Sequence, residues 1–568
     1  MRIVLLLTLV LGLNGIFSLL NNLPQEVGAD VPEGKLNSLS FAPFREGQSP
    51  LEAIFPTVDQ IEADLTLLAA KTHTIRTYAS GEGTMKAIPA LAQKQGLKMI
   101  QGAWIGYMDV DNRKEIDALI EAANTYPEVI KRVIVGNEVL LRGEQEPEKL
   151  IEYIREVKRS VKQPVSYADV WSMYMKYPQL IREVDFITIH ILPYWEDEPI
   201  PVTMAPAHIE RIYKQVQHEA ESIAPGKPIL IGESGWPSAG KQRGWAKPSV
   251  VNEARFIRGL IKVAQDNHFD YNIVEAFNQP WKSELEGIVG ANWGLFSVDR
   301  QEVFPLTGKV YENAKWLKEL LVSSLIFVLV VAFFARKLQS LSTLRMALFL
   351  VFVQLLIALL VNQTDKSWYT SYNDWQRCLA ALVAGLNIFL AGLAMPRAYN
   401  LLAEQIVNRK VVSGIQSIIV FVATVAIYIS YQLALNGRYI SFPFALTHIS
   451  VASLSGLTVM GWLVAKRWSF RLVEFNQLIG YVGSGRSSYK VWGYGLVLIG
   501  ILLIGGEVRA FTIGRDFILA YPEIGKRIYW AFIFTITNTQ LLEWLFGLLV
   551  LAIPMVLSGC KNCREAAV

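Results

Sequence analysis

The 568 residues include 52% hydrophobic and 18% charged side chains, with a mean hydropathy of +0.30, which is too apolar for a wholly water-soluble chain and too long for one ordinary domain. The 40 glycines and 24 prolines are dispersed, which excludes collagen-like and disordered classes. Residues 21–320 hold 33 Lys+Arg against 41 Asp+Glu and residues 321–568 hold 20 against 9, so the basic excess lies between apolar segments, where membrane orientation explains it better than nucleic acid.

Taken in order, the chain opens with Arg2 and an apolar run from Ile3 to Leu20. That run is long enough for a span, and no small-x-small cleavage site follows in Asn21–Gln25, so an uncleaved signal anchor is expected over residues 1–22.

Residues 30–315 then alternate short apolar runs with longer amphipathic stretches. Eight strands are predicted at Leu36–Pro43, Thr74–Ala79, Lys98–Trp104, Arg132–Glu138, Val165–Val170, Phe186–Ile191, Pro228–Glu233 and Tyr271–Phe277. Helices are predicted between them, among them Pro56–Ala70, Lys114–Ala123, Glu148–Lys162, Ala207–Ile223 and Ser249–Asn267. Eight strand-helix units of this size predict a (β/α)₈ barrel, an α/β domain. An open doubly wound sheet would carry a phosphate-binding glycine turn after its first strand, and Ser40–Gly47 has no G-x-G-x-x-G.

Residues 318–568 carry seven further runs of spanning length, at about 320–335, 344–361, 378–396, 411–432, 443–465, 491–508 and 530–558, predicting an all-α polytopic transmembrane bundle. The last run is overlong and contains Thr535, Thr537, Asn538 and Gln540, so its first part is expected to be interfacial or kinked. With the N-terminus in the cytoplasm, seven of the 20 basic residues after position 320 fall outside (Lys366, Arg377, Arg438, Arg509, Arg515, Lys526 and Arg527) and the other 13 inside. This bias places the barrel outside the cytoplasm and the C-terminus within. Among intramembrane polar residues, Gln354, Asn387, His448, Glu507 and Glu543 could mark a path for a polar solute. The three cysteines are Cys378, Cys560 and Cys563, so the barrel has no internal disulfide, and the lone Cys560–Cys563 pair lacks partners for a metal site.

Barrel chemistry is built at the C-terminal ends of the strands. Two of those ends carry glutamates behind a glycine: Gly136-Asn137-Glu138 after the fourth strand and Gly232-Glu233-Ser234-Gly235-Trp236-Pro237 after the seventh. The fold would bring both acids to one mouth. Facing carboxylates suit glycosidic cleavage, because one must be protonated to assist the leaving oxygen while the other stays anionic beside the anomeric carbon. Aromatic residues gather after the same strand ends, including Tyr78, Trp104, Tyr107, Tyr194, Trp195, Trp236, Trp281 and Trp293. Flat rings of this kind can cover the C–H faces of sugars, predicting a glucan groove.

With Asn292-Trp293-Gly294-Leu295-Phe296 added, these motifs resemble glycoside hydrolase family 17 over roughly residues 36–310. The resemblance implies a retaining β-1,3-glucan enzyme in which Glu138 is the acid/base, Glu233 the nucleophile and Asn137 a donor to the sugar 2-hydroxyl. It implies substrate contacts at Tyr78, within Ile75-Arg76-Thr77-Tyr78, and at Tyr194. Trp104, Trp236, Trp281 and Lys282 complete the expected binding set. Plant members show an acidic Phe-Asn-Glu triplet where this chain has Phe277-Asn278-Gln279, which departs from the pattern in the substrate contacts there. The tethered barrel is similar to the bacterial branch of the family, implying a glucanosyltransferase of the inner membrane with a periplasmic catalytic domain. Transfer is preferred, with strict hydrolysis, or a glucan export or assembly protein whose barrel only binds sugar, as alternatives. The expected partners are β-1,3-glucan as donor and acceptor, the lipid bilayer and a glucan synthase. No metal or organic cofactor is implied.

Overall fold

The computed structural model describes residues 1–481 and 489–558; Arg486, Cys560, Lys561, Cys563 and Arg564 lie outside the described residues. The chain divides into two compact units, one of Pro24–Glu312 and the other of Met1–Leu23 together with Asn313–Val568.

The first unit is a closed, all-parallel barrel of β1 (Leu36–Ser40), β2 (Thr72–Arg76), β3 (Lys98–Ala103), β4 (Ile130–Asn137), β5 (Val165–Val170), β6 (Ile187–His190), β7 (Ile229–Ser234) and β8 (Asp270–Ile273), sealed by Leu39 of β1 against Ile273 of β8. Strand residues alternate between two cores, as a pleated strand buried on both faces requires. Ile100, Ile134, Ala168 and Leu230, with Phe186 just before β6, form a small cluster, while neighbours such as Met99, Val133, Val135 and Ile231 join the larger core that includes the helices. Helices Val58–Ala69, Asp109–Thr125, Pro147–Ser160, Ala205–Ile223 and Val250–Asn267 stand where the amphipathic pattern places them, with ends shifted by a few residues. The capping box of Thr57 and Gln60 and the Ser249 side chain fix the starts of the first and last of these.

The strand ends are less regular than the alternation predicts. Registers shift between Ile134 and Asn137 of β4, between Ile189 and His190 of β6, and between Ile231 and Ser234 of β7. Such irregularities re-aim side chains, and here they occur where the acidic motifs stand.

A buried carboxylate clamps the loops at one end of this unit. Asp64, 1% exposed, accepts from Arg45 at 2.6 Å and from two nitrogens of Arg300 at 2.6 and 3.0 Å. Asp64→Ala leaves both guanidinium groups without a carboxylate, and the expected cost is about 3 kcal/mol. A thermal transition of the barrel lowered by about 5–10 °C checks it.

Eight described helices are long and apolar enough to cross a membrane: Arg2–Asn21, Trp316–Leu338, Thr343–Tyr369, Asp374–Leu402, Arg409–Asn436, Phe444–Ala465, Lys490–Thr512 and Thr539–Val556. Helix Arg2–Asn21 packs on Trp316–Leu338 and Thr343–Tyr369, with Val10 buried in their common core, so it is a member of the bundle and not a separate tether. The overlong last run breaks at Asn538, whose side chain caps the new helix by accepting from Leu541 N, and its first part forms the 13-residue helix Ile524–Ile536. Polar groups inside the bundle are partly paired. His448 lies 2.9 Å from Gln363 and 3.1 Å from Glu543, and Asn387 donates to Ala445 O at 2.6 Å.

Candidate active site

Glycine sets the geometry of both acidic motifs. Gly136 has φ +84°, and a Cβ there would stand 2.7 Å from Val139 Cγ2, so the turn out of β4 admits no side chain. One residue beyond the strand, Glu138 itself adopts φ 54°, in the left-handed region that costs a non-glycine residue about 1 kcal/mol or more. Its N–H donates to Ala168 O of β5 at 2.8 Å, which holds that conformation. On β7, a Cβ at Gly232 would lie 2.4 Å from Thr188 Cγ2 and 3.4 Å from His190 Cδ2, so this glycine lets β6 and its histidine approach Glu233.

The two acids converge. One carboxylate oxygen from each and a ring nitrogen of His190 all lie within 4.8 Å of one another. His190 Nδ1 is 2.9 Å from Glu138 Oε1, and Nε2 is 3.6 Å from Glu233 Oε1. The trio is spaced as metal ligands could be, a cluster drawn from three strands and therefore absent from any linear spacing. Arg76, however, already gives Glu233 a cationic partner that would repel a metal ion.

Arg76 organises the site from β2. It is 1% exposed, donates from Nη1 to Glu233 Oε1 at 3.0 Å and to Gly232 O at 2.9 Å, and from Nη2 to Asn137 Oδ1 at 2.6 Å. Two of these bonds reach side chains of both acidic motifs. Because Arg76 takes the amide oxygen, Asn137 presents its Nδ2 as a donor. The guanidinium also lies 4.8 Å from the Tyr78 ring centre, and the Tyr78 hydroxyl donates to Ser40 Oγ at 2.9 Å.

The two glutamates occupy different surroundings. Burial pushes Glu233 up, but His190, Arg76 and Lys282 outweigh it and hold its carboxyl below the ordinary carboxylate range. Glu138 is more open, its side chain 23% exposed against 12% for Glu233, and among the described residues no Arg or Lys pairs with it. Further acids surround them. Glu275, at the end of β8, is raised by burial and accepts from Lys282 at 3.0 Å; Glu286 is raised by burial as well. Asp169, on β5, is pushed up to about 6 by burial, against the bond it accepts from the Tyr167 hydroxyl. Lys282 remains protonated, because Glu275, Glu286 and Glu233 outweigh its burial.

The structure thus brings Tyr78, Asn137, Glu138, Glu233 and Lys282 into one neighbourhood. It corrects two of the aromatic expectations: Tyr194 and Trp236 have no exposed surface. Their rings meet edge-on at 5.9 Å, the Tyr194 hydroxyl donates to Lys241 O and Trp236 Nε1 donates to Lys247 O, so both support loops and cannot offer a face to a sugar. Trp104 is 37% exposed, with Arg142 stacked 4.5 Å from its ring and donating to Asn137 O at 2.6 Å, and Tyr107 beyond it is exposed. Trp281 is half-buried, its Nε1 donating to Gln279 Oε1 at 3.0 Å. Arg76, His190, Glu275 and Asp169 were not marked as site residues by sequence motifs. Their one available signal was a charged or titratable residue at or near a strand end.

Residues 38–294 match the profile of the BtgE/BtgC glycoside hydrolase domain. A glucan 1,3-beta-glucosidase of Arthroderma benhamiae is 29% identical over 268 residues, covering 44% of this chain and 84% of that protein. A probable glucan endo-1,3-beta-glucosidase, btgC, of Aspergillus fumigatus is 27% identical over 253 residues, 40% of this chain but 36% of its own length, so this chain spans about a third of that relative. Among solved structures, the glycoside hydrolase family 17 beta-1,3-glucanosyltransferase of Rhizomucor miehei is 28% identical, with 47% of this chain and 95% of that one covered and a TM-score of 0.42. The named relatives are fungal, and the matched domain, residues 38–294, lies within the barrel unit. That barrel, with its paired strand-end glutamates, is similar to the BtgE/BtgC glycoside hydrolase domain, and the chain is accordingly an enzyme of the glycosidase kind.

Proposed function

We propose that the chain is a membrane-anchored, retaining β-1,3-glucan glucanosyltransferase with endo-glucanase capacity, acting on the side of the membrane opposite its C-terminus. The observation that carries this reading is the carboxylate pair within 4.8 Å. That closeness suits direct attack by one acid, for which carboxyl groups about 5 Å apart are typical, better than the wider gap of about 6.5–9.5 Å used by inverting enzymes. Glucan as substrate is supported by the names of the relatives.

In this mechanism a Glu233 oxygen bonds to the anomeric carbon as the glycosidic C–O bond breaks, and Glu138 gives its proton to the departing oxygen. A hydroxyl of a second glucan, or water, then attacks the same carbon, passing its proton to Glu138 and releasing Glu233. The amide nitrogen of Asn137 meets the 2-hydroxyl. Trp104 and Tyr107 on the rim offer the exposed rings of an acceptor site, which favours transfer over hydrolysis. Orientation is supported by the basic residues that gather on one side of the spans.

Trapping with a 2-fluoro glucosyl donor and peptide mass analysis is expected to place the label on Glu233. Incubation of the intact protein with laminarin-type oligosaccharides is expected to give chains longer than the donor. Shorter products alone indicate hydrolysis, and binding with unchanged sugar indicates a carrier. In Arg76→Gln one of the cations that, with His190 and Lys282, hold Glu233 ionised is lost, so its carboxyl titrates at higher pH. Since the anion is the active form, the acidic limb of kcat/KM is expected to move to higher pH. An unmoved limb removes Arg76 from the control of Glu233.

A further inference from the structure

At one end of the helical unit, the end of helix Asp374–Leu402 and the loop after it meet helix Phe444–Ala465 and the short helix Phe475–Ile479 around a cavity of about 330 Å³. Arg397 lines it and is 5% exposed. Its Nε donates to Leu478 O at 2.7 Å and its Nη2 to Gln477 O at 3.1 Å, and among the described residues Nη1 has no acceptor and the guanidinium no carboxylate. Two carbonyls satisfy part of the donor fork but neutralise none of its charge. Glu404, the acidic residue on the cavity wall, is already paired with Arg345.

The surroundings are fitted to this cation. Gly480 has φ +82°, and a Cβ there would stand 3.1 Å from Arg397 Nε, 3.2 Å from Cζ and 3.0 Å from Val407 Cγ2, so the backbone lies flat against the guanidinium. Gly461, which also lines the cavity, has nothing beyond its own stretch of helix within 4 Å of its Cβ position, which leaves room for a side chain there. The same end carries the interfacial aromatics Trp468, 84% exposed, and Phe470, 77% exposed, in a loop that also holds Lys466 and Arg467.

We infer that this cavity binds the phosphate group of an anionic membrane lipid, with Arg397 as the fork that grips its oxygens. A buried cation with donors left over is costly unless an anion completes it, and planar guanidinium groups match phosphate oxygens two at a time. Interfacial depth favours a headgroup over a soluble ion, as in basic pockets between helices at the cytoplasmic face. The inference rests on the membrane-spanning reading and not on the glycosidase chemistry.

Native mass spectrometry of the detergent-purified full chain tests it. Phosphatidylglycerol is expected to be retained about tenfold or more over neutral digalactosyl diacylglycerol, with Arg397→Gln and Gly461→Leu each erasing that preference. Gly461→Leu fills the cavity from a position with room for a side chain, so it keeps the test independent of any folding defect in Arg397→Gln. Inorganic phosphate alone, competing at equal concentration, assigns the site to free phosphate, whereas its failure to compete assigns the lipid; both outcomes keep the guanidinium site. Equal retention of phosphatidylglycerol by the wild type and Gly461→Leu, or no preference for it together with no phosphate binding, overturns the inference. A chain that stays in water without detergent refutes the spanning reading separately, and the phosphate arm still reports on Arg397.

Discussion

Glu233→Gln is expected to lower kcat on β-1,3-glucan by about four to six orders of magnitude, the range found when a covalent nucleophile is removed. Glutamine keeps the size of the side chain and an oxygen that still accepts from Arg76 Nη1, so the barrel should retain its thermal transition. What disappears is the anion. Its position beside Arg76, His190 and Lys282 keeps the native carboxyl ionised in spite of burial, and an amide cannot displace the leaving glucan. Turnover within about tenfold of wild type would remove Glu233 from the mechanism, since proximity and hydrogen bonding alone would then account for the rate.

The second large effect depends on the substrate. Glu138→Gln is expected to cost about 10²–10⁴ in kcat on glucan, the usual weight of a positioned acid. On an aryl glucoside with an acidic phenol, the departing oxygen needs no proton, so the first step proceeds and the glucosyl-Glu233 ester accumulates. The second step still lacks its base. Azide, a nucleophile that carries no proton to remove, should restore turnover and give the β-glucosyl azide, with configuration retained. An α-azide, or equal damage on both substrates, contradicts the assignment of Glu138 as acid/base.

Much of the barrel was legible because its signals are local. Strand-length apolar runs, a glycine and an acid lie within a few consecutive residues, and the closed fold carries them to one end. The partners of those acids were less legible. Arg76 and His190 are single residues on strands far from Glu138 and Glu233 in sequence, and the register shifts in β4, β6 and β7 decide which of them meet. Predicted strand 4 included Glu138, whereas β4 ends at Asn137 and Glu138 turns out of it with positive φ. Periodicity carries no sign of that. The aromatic clustering after strands 6, 7 and 8 was real, but Trp236 and Trp293 both pack on Tyr194 instead of lining a groove. In the bundle, Asn538 announced its own break, because an asparagine before a fresh apolar run is a helix cap.

Arg76 has a consequence for anyone transplanting this chemistry. The guanidinium fastens Asn137 with one nitrogen and Glu233 with the other, so the separation of the two motifs is gauged by a third strand that contributes no acid of its own. Grafting the β4 and β7 segments onto a foreign barrel would carry the jaws of a caliper without its screw.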